Sequence, residues 1–252
     1  MIRLEHINVE VDDRKILDDV SFQVKDGETK VVLGPSGAGK SSLLKIILGL
    51  WRPDSGAVWV DNTEITRLSE REQMPVRRRM SMIFQGNALF DSLTVAENVG
   101  FFLEEHSELS TGEIDRRVQE CLDFVNLPDT QNLLPEEISG GMKKRVAIAR
   151  AIAFHPEMIL YDEPTTGLDP INAKTVTELI MRLKKERRAT SVVVTHILRD
   201  AFAVGDSLAL MNDGKIVFDG SPQELLQCTD PFVQNFLSEI HEEANLVFHK
   251  QP

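Results

Sequence analysis

Short apolar runs alternate with amphipathic segments along most of this chain, and that alternation predicts an α/β fold. Residues 30–33 form a buried-type strand that ends at Gly34, and residues 41–50 form the helix that follows, which stops before Pro53. The N-terminal residues 2–5 also alternate as a strand does. Other strands are predicted over 57–60, 80–84, 158–161, 191–195 and 207–211, and another helix over 171–186.

The pattern changes between residues 93 and 153, where helical periodicity replaces the strands. Ser110 and Glu113 form a capping-box signature, and an apolar stripe at helical spacing, which includes Cys121, follows them. Further along, the Asn-Asp-Gly sequence of residues 212–214 predicts a hairpin turn, and Ser221 with its following Pro begins a late helix.

These changes predict three parts. An α/β core takes residues 1–88 and 156–222, a helical subdomain takes 89–155, and a helical tail takes 223–252. In the tail, the stripe Phe232, Phe236, Leu237 and Ile240 must be buried, either within the chain or against a regulatory subunit or second copy.

Composition narrows the classes of partner. The 252 residues are 42% hydrophobic and 27% charged, as in an ordinary globular protein. A net charge of −12 disfavours a surface for phosphodiester backbones, so no nucleic-acid partner is expected. The N-terminus has the pattern of a strand instead of a signal peptide, and no apolar run approaches the roughly 18 residues that cross a bilayer. We therefore expect membrane contact only through partners. Cys121 and Cys228 match no metal-site spacing.

The first chemical motif is Gly-Pro-Ser-Gly-Ala-Gly-Lys-Ser at residues 34–41, which satisfies G-x-x-x-x-G-K-[ST] between a strand and a helix. Glycines let the main chain wrap phosphate oxygens, and amides at the helix N-terminus point at them. Lys40 supplies charge to the β and γ phosphates, and the Ser41 hydroxyl can bind Mg²⁺. The residues predicted to contact ATP here are Gly34, Pro35, Ser36, Gly37, Ala38, Gly39, Lys40, Ser41 and Ser42.

The second motif is an apolar strand that ends in two acids, Asp162 and Glu163. Such a strand delivers carboxylates to the C-terminal edge of a sheet, where open α/β sheets bind ligands. Asp162 is predicted to hold Mg²⁺, and Glu163 is predicted to activate the attacking water as a general base.

The third motif is Ile-Ser-Gly-Gly-Met at residues 138–142, directly before a helix. Ser139, Gly140 and Gly141 make a second anion-binding turn, which one nucleotide does not need from the same chain. A symmetric dimer solves the problem, because each turn then serves the ATP of the other copy. The basic run of residues 143–145, considered alone, is typical of a solvated helix face.

With these motifs in this order, residues 2–222 resemble the ATP-binding-cassette family, whose Walker A, signature and Walker B motifs match 34–41, 138–142 and 158–163. The resemblance implies a P-loop NTPase (RecA-like) core with an antiparallel β edge and an inserted helical subdomain. It also implies that Gln85 is a catalytic residue and Mg²⁺ ligand, beside Ser41 and Asp162. It makes His196 the switch histidine. The residues implied to reach ATP in trans are Ser139, Gly140, Gly141, Met142 and Asp169.

Two positions depart from the family pattern. Val11 aligns where an aromatic residue usually stacks on adenine, and Met142 stands where Gln is usual. Met142, the segment 85–99 and the run 230–237 resemble the ATPases of MCE-associated, Mla-type lipid transporters. That resemblance implies phospholipid movement between the inner and outer membranes of a Gram-negative envelope. It also implies a peripheral place on the cytoplasmic face of the inner membrane, with permease, MCE-type lipid-binding and small regulatory subunits as partners.

Other functions stay open at this point. They are an ATPase subunit of a polar amino-acid or other small-solute importer, a soluble ABC ATPase outside transport, and a regulatory module without turnover. Phe90, Phe101 and Phe102, just after Gln85, are candidates for a groove that docks the transmembrane partner, with packing inside the helical insert as an equal alternative.

Overall fold

The structure, a computed structural model, describes residues 1–238, and its larger sheet confirms the predicted α/β class. Six strands form this sheet: β3 (Thr29–Leu33), β6 (Met80–Ile83), β7 (Met158–Asp162), β8 (Thr190–Thr195), β9 (Ser207–Asn212) and β10 (Lys215–Gly220). Their order is β10-β9-β3-β8-β7-β6. All neighbours are parallel except β10, which pairs antiparallel with β9 through the predicted hairpin turn.

A smaller antiparallel sheet supplies the predicted β edge. It contains β1 (Ile2–Val11), β2 (Arg14–Val24), β4 (Ser55–Val60) and β5 (Thr63–Glu64), in the order β2-β1-β4-β5. Strand β2 is absent from the sequence prediction. The link between β1 and β2 is the two-residue turn of Asp12 and Asp13, both left-handed with φ of 49° and 60°. That conformation matches the twist of a tight hairpin, although two aspartates signal it less clearly than Asn-Gly does.

Within residues 1–230, the structure has eight α-helices. They are α1 (Lys40–Ile47), α2 (Glu70–Arg77), α3 (Val95–His106), α4 (Thr111–Phe124), α5 (Gly140–Ala153), α6 (Pro170–Arg187), α7 (Leu198–Val204) and α8 (Pro222–Gln227). Helices α3 to α5 contact one another and fall inside the predicted insert. Within residues 1–238, no helix combines the length and the apolar character that crossing a membrane requires.

The larger sheet is buried on both faces. Val31 and Leu33 of β3 belong to the core shared with helices α3 to α6, whereas Val32 between them faces the core shared with α1 and the smaller sheet. The first of these cores also buries Phe236 of the helical residues 231–238, with Phe232 and Leu237 packed against it. The tail stripe is therefore covered within the chain as far as the structure describes it, and Ile240 lies outside the described residues.

Candidate functional site

Four strand ends of the larger sheet bring the predicted site residues of one chain to a single edge. The loop of residues 34–41 follows β3, Gln85 follows β6, Glu163 follows β7 and His196 follows β8. The register places Leu33 beside Thr195 and Val194 beside Asp162, so the carboxyl ends of the three central strands lie level. Open parallel sheets bind ligands at this edge, because loops leaving neighbouring strands diverge there and leave a crevice.

Lys40 is the charged centre of the loop. Its side chain is buried, and its Nζ donates hydrogen bonds to the carbonyl oxygens of Gly34 at 2.8 Å and Pro35 at 3.0 Å. The same nitrogen lies 3.5 Å from Oε1 of Glu163. Gly39, directly before α1, is left-handed with φ of 101°, which glycine adopts without steric cost. The loop therefore presents amides and a cation at a helix N-terminus, the arrangement that binds phosphate.

Ser41 and Asp162 form a pair of hard oxygen ligands beside the loop. The Ser41 hydroxyl donates to Oδ1 of Asp162 at 2.8 Å. Burial raises the pKa of the Asp162 carboxyl above its usual range, and the Ser41 hydrogen bond acts in the opposite direction. A hydroxyl and a carboxylate at one point suit Mg²⁺, which takes few protein ligands and fills its octahedron with water and phosphate. A bound cation would also offset the burial of the charge on Asp162.

Glu163 is held by several elements at once. Its backbone is left-handed with φ of 48°, a costly conformation for a non-glycine residue, and its N–H donates to the carbonyl of Val194 at 3.0 Å. Its Oε2 accepts from the Thr166 hydroxyl at 2.9 Å and lies 2.9 Å from Nδ1 of His196. Because an ionised carboxylate only accepts, Nδ1 of His196 is the donor. The sequence analysis missed Thr166 as a contact of Glu163.

Gln85 is exposed, and within residues 1–238 its side chain has no hydrogen bond. Its main chain is held instead: Nζ of Lys144 donates to the carbonyls of Phe84 at 3.0 Å and Gln85 at 2.9 Å. Lys144 is only 1% exposed, and burial lowers its pKa to about 8. The interpretation of residues 143–145 as a solvated face is thus wrong for Lys144. The basic run conceals this, although helical spacing places Lys144 on the same face as the buried Ala147 and Ile148.

The second anion-binding turn opens to solvent at the start of α5. Ser139 is the N-cap, and its hydroxyl accepts from the N–H of Met142 at 3.2 Å. Gly140 is exposed, and a Cβ added there would meet no atom within 4 Å. Met142 packs its side chain against the core. Gly141 has an inward side, where an added Cβ would come within 2.3 Å of the side chain of Asn172.

Asp169 stands beside this turn as the N-cap of α6. Its Oδ1 accepts from the N–H groups of Ile171 and Asn172, both at 3.0 Å, and its Oδ2 accepts from the Asn172 amide at 2.5 Å. These bonds lower the pKa of Asp169. The carboxylate is thus occupied within its own chain, and its contact with ATP in trans stays a prediction.

Val11 ends β1 at the hairpin turn and is 40% exposed. Strand β2 of this hairpin packs closely against the phosphate loop, since a Cβ on Gly39 would lie 2.7 Å from the carbonyl oxygen of Ile16. The structure therefore brings the β1–β2 hairpin to the same edge as the loop, where an apolar side chain can cover one face of a base.

Comparisons with known proteins show the family to which this chain belongs. The protein-family model described as ABC transporter matches residues 17–166. The intermembrane phospholipid transport system ATP-binding protein MlaF of Haemophilus influenzae is 40% identical over 237 residues, which cover 94% of this chain and 90% of that protein. The methionine import ATP-binding protein MetN of Carboxydothermus hydrogenoformans is 42% identical over 237 residues, covering 94% and 68%. Among solved structures, the dimeric ATP-binding cassette MJ0796 bound to ADP and Pi has a TM-score of 0.81 and 34% identity over 88% of this chain and 98% of that one.

Proposed function

The chain belongs to the ABC transporter family as an ATP-binding, ATP-hydrolysing subunit, and we propose that it energises phospholipid transport between the inner and outer membranes of a Gram-negative envelope. The observation that supports phospholipid as the cargo is the 40% identity with MlaF along 94% of the chain. Met142 and the segment 85–99, which resemble lipid-transport ATPases, support the same cargo.

ATP binding is assigned to the edge of the larger sheet. The loop of residues 34–41 and Ser42 wrap the phosphates, with Lys40 neutralising their charge from a buried position. Ser41, Asp162 and Gln85 would hold Mg²⁺, which when bound neutralises charge on the transferred phosphoryl group. Val11 covers the base without aromatic stacking.

Hydrolysis is assigned to Glu163 as general base. The carboxylate lies at the end of β7, 2.9 Å from His196 and 3.5 Å from Lys40, so it is fixed beside the position of the terminal phosphate. Oε2 is hydrogen-bonded to Thr166 and His196, so Oε1, which lies 3.5 Å from Nζ of Lys40, is the oxygen assigned to accept a proton from an attacking water. His196 orients Glu163 through Nδ1 and, with Gln85, completes the catalytic set.

A second copy of the chain completes each site. Ser139 and Gly140 face solvent at a helix N-terminus, with Gly141 buried behind them, and the MJ0796 cassette was solved as a dimer. A two-fold pair would place this turn, with Met142 and Asp169, on the ATP of the other copy. Loss of the terminal phosphate then weakens the contact between copies, and the dimer opens.

A groove beside Gln85 suits a transmembrane partner. Its volume is about 400 Å³, and its lining is mainly apolar with Phe84, Phe90, Phe101 and Phe102 among the contributors. Phe90 and Phe101 are 43% and 38% exposed, and their ring centroids lie 4.6 Å apart. Exposed aromatic side chains around a groove are typical of a site for an amphipathic helix. We assign it to a cytoplasmic helix of a permease, which would hold the chain at the cytoplasmic face of the inner membrane.

Affinity purification from the native host tests the cargo. A tagged full chain should bring down a permease, an MCE-type lipid-binding protein and a small regulatory subunit, with phospholipid detected by mass spectrometry. The 42% identity with MetN favours one other candidate, a polar amino-acid or other small-solute importer. Recovery of a solute-binding protein without lipid would establish that importer and contradict phospholipid transport.

Glu163→Gln tests the catalytic assignment. It removes the base but keeps the size and polarity of the side chain, so ATP should still bind while kcat falls by at least about 10³-fold. Steady-state phosphate release and equilibrium ATP binding measure the two effects. Glu178→Gln on α6, an exposed site with the same chemical change, is the control and should keep the wild-type rate. Equal rates for the wild type and Glu163→Gln would refute the general base.

A further inference from the structure

Lys144 is a buried lysine on the helix that carries the second anion-binding turn. It lies on α5, five residues after the N-cap Ser139, and is 1% exposed. Lysine is almost never fully buried unless its charge is paired. Removing an ammonium group from water without a partner costs on the order of several kcal/mol. A lysine in this place therefore needs partners that compensate for the lost water.

Main-chain carbonyls are those partners. Nζ of Lys144 donates to the carbonyls of Phe84 and Gln85, and within residues 1–238 it forms no ion pair. Asp162 favours the charged form at longer range. Because these carbonyls belong to the two peptide groups on either side of the Gln85 Cα, Lys144 fixes where the Gln85 side chain begins.

The segment after Gln85 needs such support. Asn87 and Ala88 are left-handed, with φ of 65° and 51°, and conformations of this kind persist where surrounding contacts impose them. Arg150, also on α5, donates to the carbonyl of Ala88 at 2.8 Å and to that of Asn87 at 3.0 Å. Two cations of one helix therefore hold four of the five carbonyls of residues 84–88, all except that of Gly86.

We infer that Lys144 is a positioning residue that sets the place of Gln85 in the ATP site, and that it links this site to the turn of residues 139–141 on the same helix. The inference rests on the proposed role of Gln85. A shift of α5, when its N-terminal turn closes on the ATP of the second copy, moves the carbonyls that Lys144 holds. Each site thereby responds to nucleotide in the other. Phe84 and Phe90 line the groove assigned to the permease, so the same helix and loop reach that partner.

The full chain carrying Lys144→Met tests this inference. Met keeps the length and removes the donor, so the loop should loosen without a large cavity. In the chain without nucleotide, amide hydrogen exchange of the peptide covering residues 84–90 should accelerate at least about threefold. With ATP, kcat should fall about tenfold or more while KM changes by less than about threefold, because the loss falls on a step after binding.

A double-mutant cycle with Gln85→Ala separates positioning from general support of the fold. If Lys144 acts through Gln85, Lys144→Met should not lower kcat further in the Gln85→Ala background. Lys185→Met, an exposed lysine on α6, is the matched control and should change neither exchange nor rate. Additive losses in the double variant, unchanged exchange, or a wild-type rate for Gln85→Ala would overturn the inference. In each of these outcomes the loss of turnover in Glu163→Gln would still support the proposed hydrolysis.

Discussion

The two glycine-rich turns of this chain share a motif type but differ in surroundings. Both place glycines and a hydroxyl at a helix N-terminus, at residues 34–41 and 138–142. In the first, Lys40 is buried and a carboxylate lies 3.5 Å away. In the second, Ser139 caps its own helix and Gly140 faces solvent. The difference teaches that the first turn has its charged groups within its own chain, whereas residues 138–142 of the second contain no charged side chain, which fits the proposal that it acts against a second copy.

The space around one glycine in each turn differs in the same way. Gly39 is enclosed, because a Cβ there would lie 2.7 Å from the Ile16 carbonyl and 2.9 Å from the Leu17 side chain. Gly140 has open space around it. Substitutions should therefore damage the fold at the first turn and only the joint function at the second.

The largest expected effect belongs to Gly140→Asp. The side chain has room in the single chain, but it would place a negative charge where the phosphate of the second copy is proposed to dock. We expect ATP binding to a single chain within about twofold of the wild type and hydrolysis at least about 100-fold slower, since one oriented phosphate contact contributes several kcal/mol in a water-excluded site. Equilibrium binding and phosphate release measure the two.

Gly112→Asp is the control for that prediction. Gly112 lies in the first turn of α4, also with no atom within 4 Å of an added Cβ. The same charge at that helix N-terminus should leave hydrolysis unchanged. If Gly140→Asp hydrolysed ATP at the wild-type rate, the second turn would not be part of an ATP site.

Gly39→Ala should have the next largest effect, on stability. The alanine would meet both the left-handed backbone and the contacts with β2, so we expect a loss of about 2 to 3 kcal/mol in the free energy of unfolding. Gly37→Ala makes the comparison, because Gly37 is left-handed with φ of 83° but has no neighbour within 4 Å. Gly37→Ala should lower the free energy of unfolding by only about 1 kcal/mol, the cost of the left-handed backbone alone. Urea unfolding of both variants measures the difference. Equal losses of unfolding free energy would show that the contacts of Gly39 with β2 contribute nothing.

Val11→Phe should have the smallest effect. An aromatic ring at the exposed end of β1 would stack on the base, so the Kd for ATP should fall by about two- to fivefold, in line with roughly 0.5 to 1 kcal/mol for a stacked pair. Val217→Phe on β10, at a comparable exposure of 39%, controls for added apolar surface. An unchanged or higher Kd for Val11→Phe alone would remove Val11 from the base site.

Sequence patterns predicted most strands of the larger sheet and the helices of the insert, because buried parallel strands are continuous apolar runs and helix starts carry local caps. They missed β2, whose charged, irregular pattern becomes a strand only by pairing with β1. They also missed α2, which contains Pro75 and few buried residues.

For the site, the sequence by itself determined that Lys40, Ser41, Asp162 and Glu163 come together, since they stand in motifs that follow neighbouring strands, and it predicts that they carry the chemistry. Only the tertiary structure decided how those residues are held: Glu163 in a left-handed backbone between Thr166 and His196, and Gln85 on the buried Lys144. The physical reason is that burial and long-range hydrogen bonds depend on which elements pack together. A lysine in a basic run has the same letters around it whether its helix face meets water or a loop.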